Sequence, residues 1–168
     1  MQLVKPTKRY EQSWKEALCE FEMEKRKGFW NIPEKPVDLD EYIERTEAHS
    51  HGKNLPDYWV PADTYWLIDE GQFVGHVNIR HELNDKLKKI GGHIGYAIRP
   101  SARKKGYGMK ILELALPKAR EAGLQKALIT CHDSNVASIK IIEKNNAKLQ
   151  DIIDVDGEKI RRYWMDLR

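Results

Sequence analysis

The residues best suited to chemistry gather in the stretch His93–Gly108, which reads HIGYAIRPSARKKGYG. Arg103, Lys104 and Lys105, with Arg99 just upstream, crowd the place where a helix should begin. The first turn of a helix is the positive end of its dipole, so cations there are disfavoured by roughly 0.3–1 kcal/mol each when exposed. An anion turns that penalty into attraction. Gly106 and Gly108 carry no side chains, so main-chain N–H groups can come close to a ligand. Free N–H donors, a positive dipole end and flanking cations together make a phosphate cradle. A solvated basic turn is the plainer reading of the same residues.

A second constellation is Asn135-Val136-Ala137-Ser138-Ile139, which follows an apolar run and should open another helix. A strand-to-helix junction of this kind is where open α/β sheets bind ligands. The Asn135 amide can both donate and accept; it can equally cap the helix. Tyr96 and His93 are the titratable side chains on the strand before the basic loop. Tyr96, with an ordinary pKa of roughly 10, is a poor base but a usable acid or hydrogen-bond donor. His93, ordinarily near roughly 6.5, has better chemistry but points to the other face of a regular strand, unless a bulge turns it. Packing is the plainer reading of Tyr96. His49 and His51 lack further metal ligands nearby in the chain, and no metal site is expected.

These residues need positioning. Gln2–Val4 reads as a strand stopped by Pro6, and Thr7 can cap a helix to about Lys25, ended by Gly28. Asp38 or Asp40 can cap a second helix through Tyr42, Ile43 and Thr46. Thr64–Ile68 and Gln72–Arg80 form a hairpin around Asp69-Glu70-Gly71, and Asn84–Gly92 reads as a polar loop. After the His93 strand, Met109, Leu112, Leu116 and Ala119 mark one face of a helix to Gly123, which Pro117 should kink or divide. Lys126–Cys131 is a strand, and Val136, Ile139 and Ile142 give the buried face of a helix ending at Asn145-Asn146. Strands near Lys148–Val155 and Lys159–Leu167 close on the Asp156-Gly157 turn. The order predicts an α/β fold: a mixed, mostly antiparallel sheet of six to seven strands with about four helices, one half a hairpin and the other βαβ.

With 168 residues, 40% of them hydrophobic and 33% charged, the chain suits a single domain over residues 1–168. No apolar run reaches the roughly 18–20 residues that span a bilayer, and no secretory signal opens the chain. A net charge of +3 is too small to imply nucleic acid. Cys19 and Cys131 suit free thiols in a reducing cytoplasm, Cys131 within a core strand. The expectation is therefore a cytoplasmic protein with no membrane and no nucleic-acid partner.

Arg103-Lys104-Lys105-Gly106-Tyr107-Gly108 resembles the Arg/Gln-x-x-Gly-x-Gly/Ala signature of the GNAT superfamily of N-acetyltransferases. Asn135-Val136-Ala137-Ser138, followed by Glu143-Lys144, resembles a second segment of that family, and the element order matches over nearly the whole chain. The resemblance implies acetyl-CoA as co-substrate, its diphosphate on Arg103–Gly108 and its pantetheine amides on Asn135, with Ser138 beside it. It further implies backbone contacts from Ala97 and Ile98 to the thioester, transfer of acetyl to a primary amine, and sometimes a homodimer. Two departures stand out. The family's tyrosine, which protonates the leaving thiolate, falls on Ile142, and a usual glycine falls on Asn146. The first leaves the acid step without an owner and keeps an acyl-CoA-binding sensor module in play. The loop between the first two helices should help form the acceptor pocket, with Phe29-Trp30 and Tyr58-Trp59 as walls or as core aromatics. The acid surplus of Glu34–Glu47 would suit a cationic amine or a solvated face equally.

Overall fold

The computed structural model describes residues 1–24 and 38–168. Strands β1 (Gln2–Val4), β2 (Ala62–Asp69), β3 (Gln72–Arg80) and β4 (Ile94–Ile98) form one sheet in that order. Strands β5 (Lys126–His132), β6 (Lys148–Val155) and β7 (Glu158–Asp166) form a second, ordered β5-β7-β6. The two hairpin turns close as their residues predict: Glu70-Gly71 has φ of 47° and 77°, and Asp156-Gly157 has φ of 54° and 83°.

Among the described residues five helices accompany the sheets: α1 (Glu11–Met23), α2 (Leu39–Ser50), α3 (Asp85–Lys89), α4 (Tyr107–Glu121) and α5 (Val136–Lys144). Thr7 caps a short 3-10 turn that leads into α1, and the Asp38 carboxylate caps α2 by accepting from the Asp40 and Glu41 N–H groups. The expected end of the first helix at Lys25–Gly28, and Phe29-Trp30, lie outside the described residues. Helix α3 occupies the segment expected to be a loop. Asn84 accepts from the Leu87 N–H at 2.9 Å, and that cap together with buried Leu87 makes one turn worth forming.

Helix α4 runs undivided through Pro117. The proline is exposed, and the carbonyl it leaves unbonded belongs to exposed Glu113, so water can satisfy it. The buried stripe of α4 is Ile111, Leu112, Ala115 and Ala119. These pack with Val77, Ile79, Ile94, Ile129 and Tyr163 on one face of the sheets. On the other face α1 and α2 bury Trp14, Phe21 and Tyr42 against Trp66 and Phe73, with Trp14 stacked on Trp66 at 5.4 Å between ring centroids. β3 lies between these layers and is buried on both sides.

The βαβ expectation meets a different arrangement. α4 does cross from β4 to β5, but every strand ladder is antiparallel. The two sheets are stitched where β4 begins. The His93 N–H donates to the Leu128 carbonyl at 2.7 Å, and the Leu128 N–H donates to His93 Nδ1 at 2.9 Å. The Gly91 N–H also reaches Thr130 Oγ1 at 2.8 Å. Gly92 permits this approach: its φ is 62°, and a Cβ there would stand 2.4 Å from the Leu128 carbonyl oxygen. Past the stitch no ladder joins β4 and β5 among the described residues, and both are sheet edges facing a cleft.

Candidate active site

The cleft meets the basic loop at its open end. Pro100–Ala102 form a 3-10 turn, Lys104 takes φ of 62°, and Gly106 caps α4 from the left-handed region at φ of 86°. The main-chain N–H groups of Lys104, Lys105, Gly106, Tyr107 and Gly108 have no acceptor among the described residues. They are a run of orphan donors at a dipole's positive end. Nothing lies within 4 Å of a Cβ built on Gly106, so the approach is open. Lys104 and Lys105 are exposed and make no ion pair among the described residues.

The two arginines are differently used. Arg99 Nε donates to Glu20 Oε1 at 2.7 Å, and its guanidinium also reaches the Ser13 hydroxyl at 3.2 Å. Arg103 donates to the Ile98 carbonyl at 3.1 Å and holds Glu24 with both terminal nitrogens, one contact at 2.8 Å. Glu20 also accepts from the Ser101 N–H and hydroxyl, each at 2.9 Å. Burial pushes the Glu20 carboxyl up, but the Ser101 N–H and Arg99 more than offset it and hold it below its ordinary value. Glu16, Glu20 and Glu24, four residues apart, thus form an acidic stripe of α1 against the loop. That spacing is visible in the sequence; its pairing with the basic loop is not. Tyr107 donates to Asp69 at 2.7 Å, which ties the first residue of α4 to the β2–β3 turn.

Along β4, the register with β3 and the bonds Arg80 N–H to His93 and Arg99 N–H to Val74 direct the main chain of Gly95 and Ala97 toward β3. The amides of Tyr96 and Ile98 therefore face the free edge. Of the expected backbone contacts Ala97 and Ile98, Ile98 is the one turned toward the cleft. The Tyr96 hydroxyl is buried with no partner at hydrogen-bond distance among the described residues, and burial, only partly offset by nearby Ser138, pushes its pKa up to about 12. Ser138 and Cys131 are the polar side chains bearing on it. Burial, and then the Arg80 charge, push His93 down to about 4. It is a neutral imidazole whose Nδ1 already accepts from Leu128.

The Asn135 side-chain oxygen caps α5 by accepting from the Ser138 N–H at 3.1 Å, and the residue is exposed. Ile142 is buried in the core; Val136, expected on the same buried face, is exposed. His49 packs edge-on against Trp59, while His51 pairs with Glu47, so the two histidines serve separate contacts. Tyr58 and Trp59 are exposed and not core aromatics. Among the described residues no cluster of three or more His, Cys, Asp or Glu could hold a metal ion, and no helix is long and apolar enough to cross a membrane.

Residues 7–148 match the model of the acetyltransferase (GNAT) domain. The chain belongs to the GNAT family. Solved structures agree on the GNAT fold. The putative acetyltransferase YncA from Salmonella typhimurium, solved with acetyl-CoA, has a TM-score of 0.65 at 14% identity, covering 100% of this chain and 95% of its own. A ribosomal-protein-alanine N-acetyltransferase from Brucella melitensis gives 0.67 at 16%, covering 99% of both chains. A variant of the spermidine N-acetyltransferase SpeG from Vibrio cholerae gives 0.65 at 16%, covering 99% of this chain and 95% of that one. No curated protein matches. In this GNAT chain Ile142 stands where the family's tyrosine is expected, and it is buried in the core.

Proposed function

We propose that this GNAT chain is an acetyl-CoA-dependent N-acetyltransferase that moves acetyl directly to a primary amine. The observation that carries the reading is the run of unbonded N–H groups from Lys104 to Gly108, opening on the cleft between β4 and β5. Those amides, with Lys104 and Lys105, would bind the diphosphate. Asn135, whose amide nitrogen has no partner among the described residues, would brace the pantetheine arm. The Tyr96 or Ile98 N–H would polarise the thioester carbonyl.

The neutral amine attacks the carbonyl carbon; the C–N bond forms, the C–S bond breaks, and the amine's surplus proton passes to water. His93 is not poised to take it, since its Nδ1 is spent on Leu128. Tyr96 is the candidate beside the departing sulfur. At about 12 its pKa lies well above a thiol's roughly 8.5, so full proton transfer to thiolate is uphill by about 5 kcal/mol. Its role is therefore hydrogen-bond donation to the thiolate, which takes its proton from solvent.

Calorimetric titration with acetyl-CoA tests the reading. Binding is expected, and its loss in Gly106→Glu, which sets a carboxylate among the amides. No binding to the native chain, or unchanged affinity in the variant, removes the assignment. The second reading, an acyl-CoA-binding module without turnover, is favoured by buried Ile142. Steady thiol release with any amine excludes it.

A further inference from the structure

Arg80 ends β3 on the face of the sheet covered by α1 and α2. It is 6% exposed, yet no carboxylate among the described residues pairs with it. Its Nη1 donates to the carbonyls of Gly91 at 3.2 Å and Gly92 at 3.0 Å. Two neutral carbonyls are poor compensation for a buried cation. The charge is felt by its neighbours, since it helps depress His93.

What lies beside the guanidinium is the side-chain-free face of Gly95. A Cβ built on Gly95 would stand 3.5 Å from Nη1 and 3.8 Å from Nη2, and among the described residues it would meet nothing else within 4 Å. Gly95 is partly exposed. Gly95 sits on β4 immediately before Tyr96, and its side of the strand is opposite the Tyr96 side chain. The strand that would hold the thioester thus has an unpartnered hydroxyl on one face and, against the other, the guanidinium of Arg80 from β3.

Resting on the N-acetyltransferase reading, we infer that the acceptor amine carries a carboxylate close to its nitrogen and that Arg80 binds that carboxylate over the bare face of Gly95. A planar guanidinium matches a carboxylate in charge and in geometry. One negative charge balances it; a phosphate dianion would bury an excess. Of the acids at α2, Asp38 caps the helix, Asp40 pairs with Lys8 at 2.7 Å and Glu47 pairs with His51 at 3.2 Å, both pairs well exposed, while Glu41 and Glu44 face solvent. Polyamines would meet an unbalanced positive charge.

The test measures thiol release from acetyl-CoA with matched acceptors: free amino acids against their carboxamides, dipeptides with Asp or Glu against Asn or Gln in second place, and spermidine. The anionic member of each pair should show at least a tenfold higher kcat/KM. Arg80→Gln should erase that difference. Because Arg80 also holds Gly91 and Gly92, Gly95→Ala serves as the second variant. It needs no unusual backbone and sets a methyl group against the guanidinium, and it should raise KM for anionic acceptors about tenfold with acetyl-CoA affinity unchanged. Calorimetry of the same acceptors on the CoA-saturated protein separates acid from amide even without turnover. Equal use or equal binding of acid and amide, preference for spermidine, or no effect of Gly95→Ala overturns the inference while leaving the transferase reading intact. Failure of the native chain to bind acetyl-CoA overturns the reading itself.

Discussion

At the scale of single residues, Tyr96 and His93 lie close together in the chain and end in opposite uses. Tyr96 keeps an unspent donor in an apolar setting. Tyr96→Phe should lower kcat about 10–100-fold with little change in the Kd for acetyl-CoA, as expected of a group that acts on the developing thiolate. Single-turnover kinetics beside calorimetry would show the split. His93 is a structural acceptor, and its role has a pH signature. Its folded pKa of about 4 lies below its ordinary 6.5, so the unfolded chain binds the extra proton first. The stability it confers is whole above about pH 6.5 and declines as pH falls toward 4, by up to roughly 3 kcal/mol. Urea unfolding between about pH 7 and about pH 4.5 should show that decline, and His93→Asn, which keeps an acceptor but cannot titrate there, should lack it.

At the scale of elements, α1 and the basic loop form one charged unit. Each half is visible in the sequence: Glu16, Glu20 and Glu24 at helical spacing, and Arg99 and Arg103 flanking Pro100. Their meeting is not, because pairing across 79 residues depends on how α1 lies on β3. The consequence is competition. Arg103 is held by Glu24 in the free protein and is not at the disposal of a diphosphate. Glu24→Gln should release it and lower local negative charge, tightening coenzyme A binding about three- to tenfold at low salt, with the gain shrinking as ionic strength rises. Equal affinity in the variant and the native chain across salt would show that Arg103 plays no part with the ligand. The unexpected α3 and the undivided α4 make the same point locally. A cap at Asn84 and the outward placing of Pro117 decide those elements, and neither is visible in hydrophobic period alone.

For the whole molecule, strand order, hairpin turns and the loop-to-helix junction were legible because turn residues and alternation act over short distances. The separation into two sheets was not. It depends on Gly92 and His93, which bring β4 against β5 at one end and leave the rest of both edges apart. Gly92→Ala should therefore cost about 1–3 kcal/mol, more than a surface glycine, because a methyl group there meets the Leu128 carbonyl and the backbone is left-handed. Chemical denaturation against Gly123→Ala, which has the same kind of backbone but no neighbour, separates the clash from the conformational cost.

The two thiols differ in accessibility: Cys19 is exposed on α1, and Cys131 is buried in β5, with burial raising it to about 11. A maleimide should therefore label the native chain once within minutes and a second time only as the sheets part, so that the second addition clocks how often the molecule breathes. Because Cys131 bears on Tyr96 at the cleft, saturating coenzyme A should slow that clock, and a mass spectrum taken over hours would read ligand occupancy without any assay of turnover.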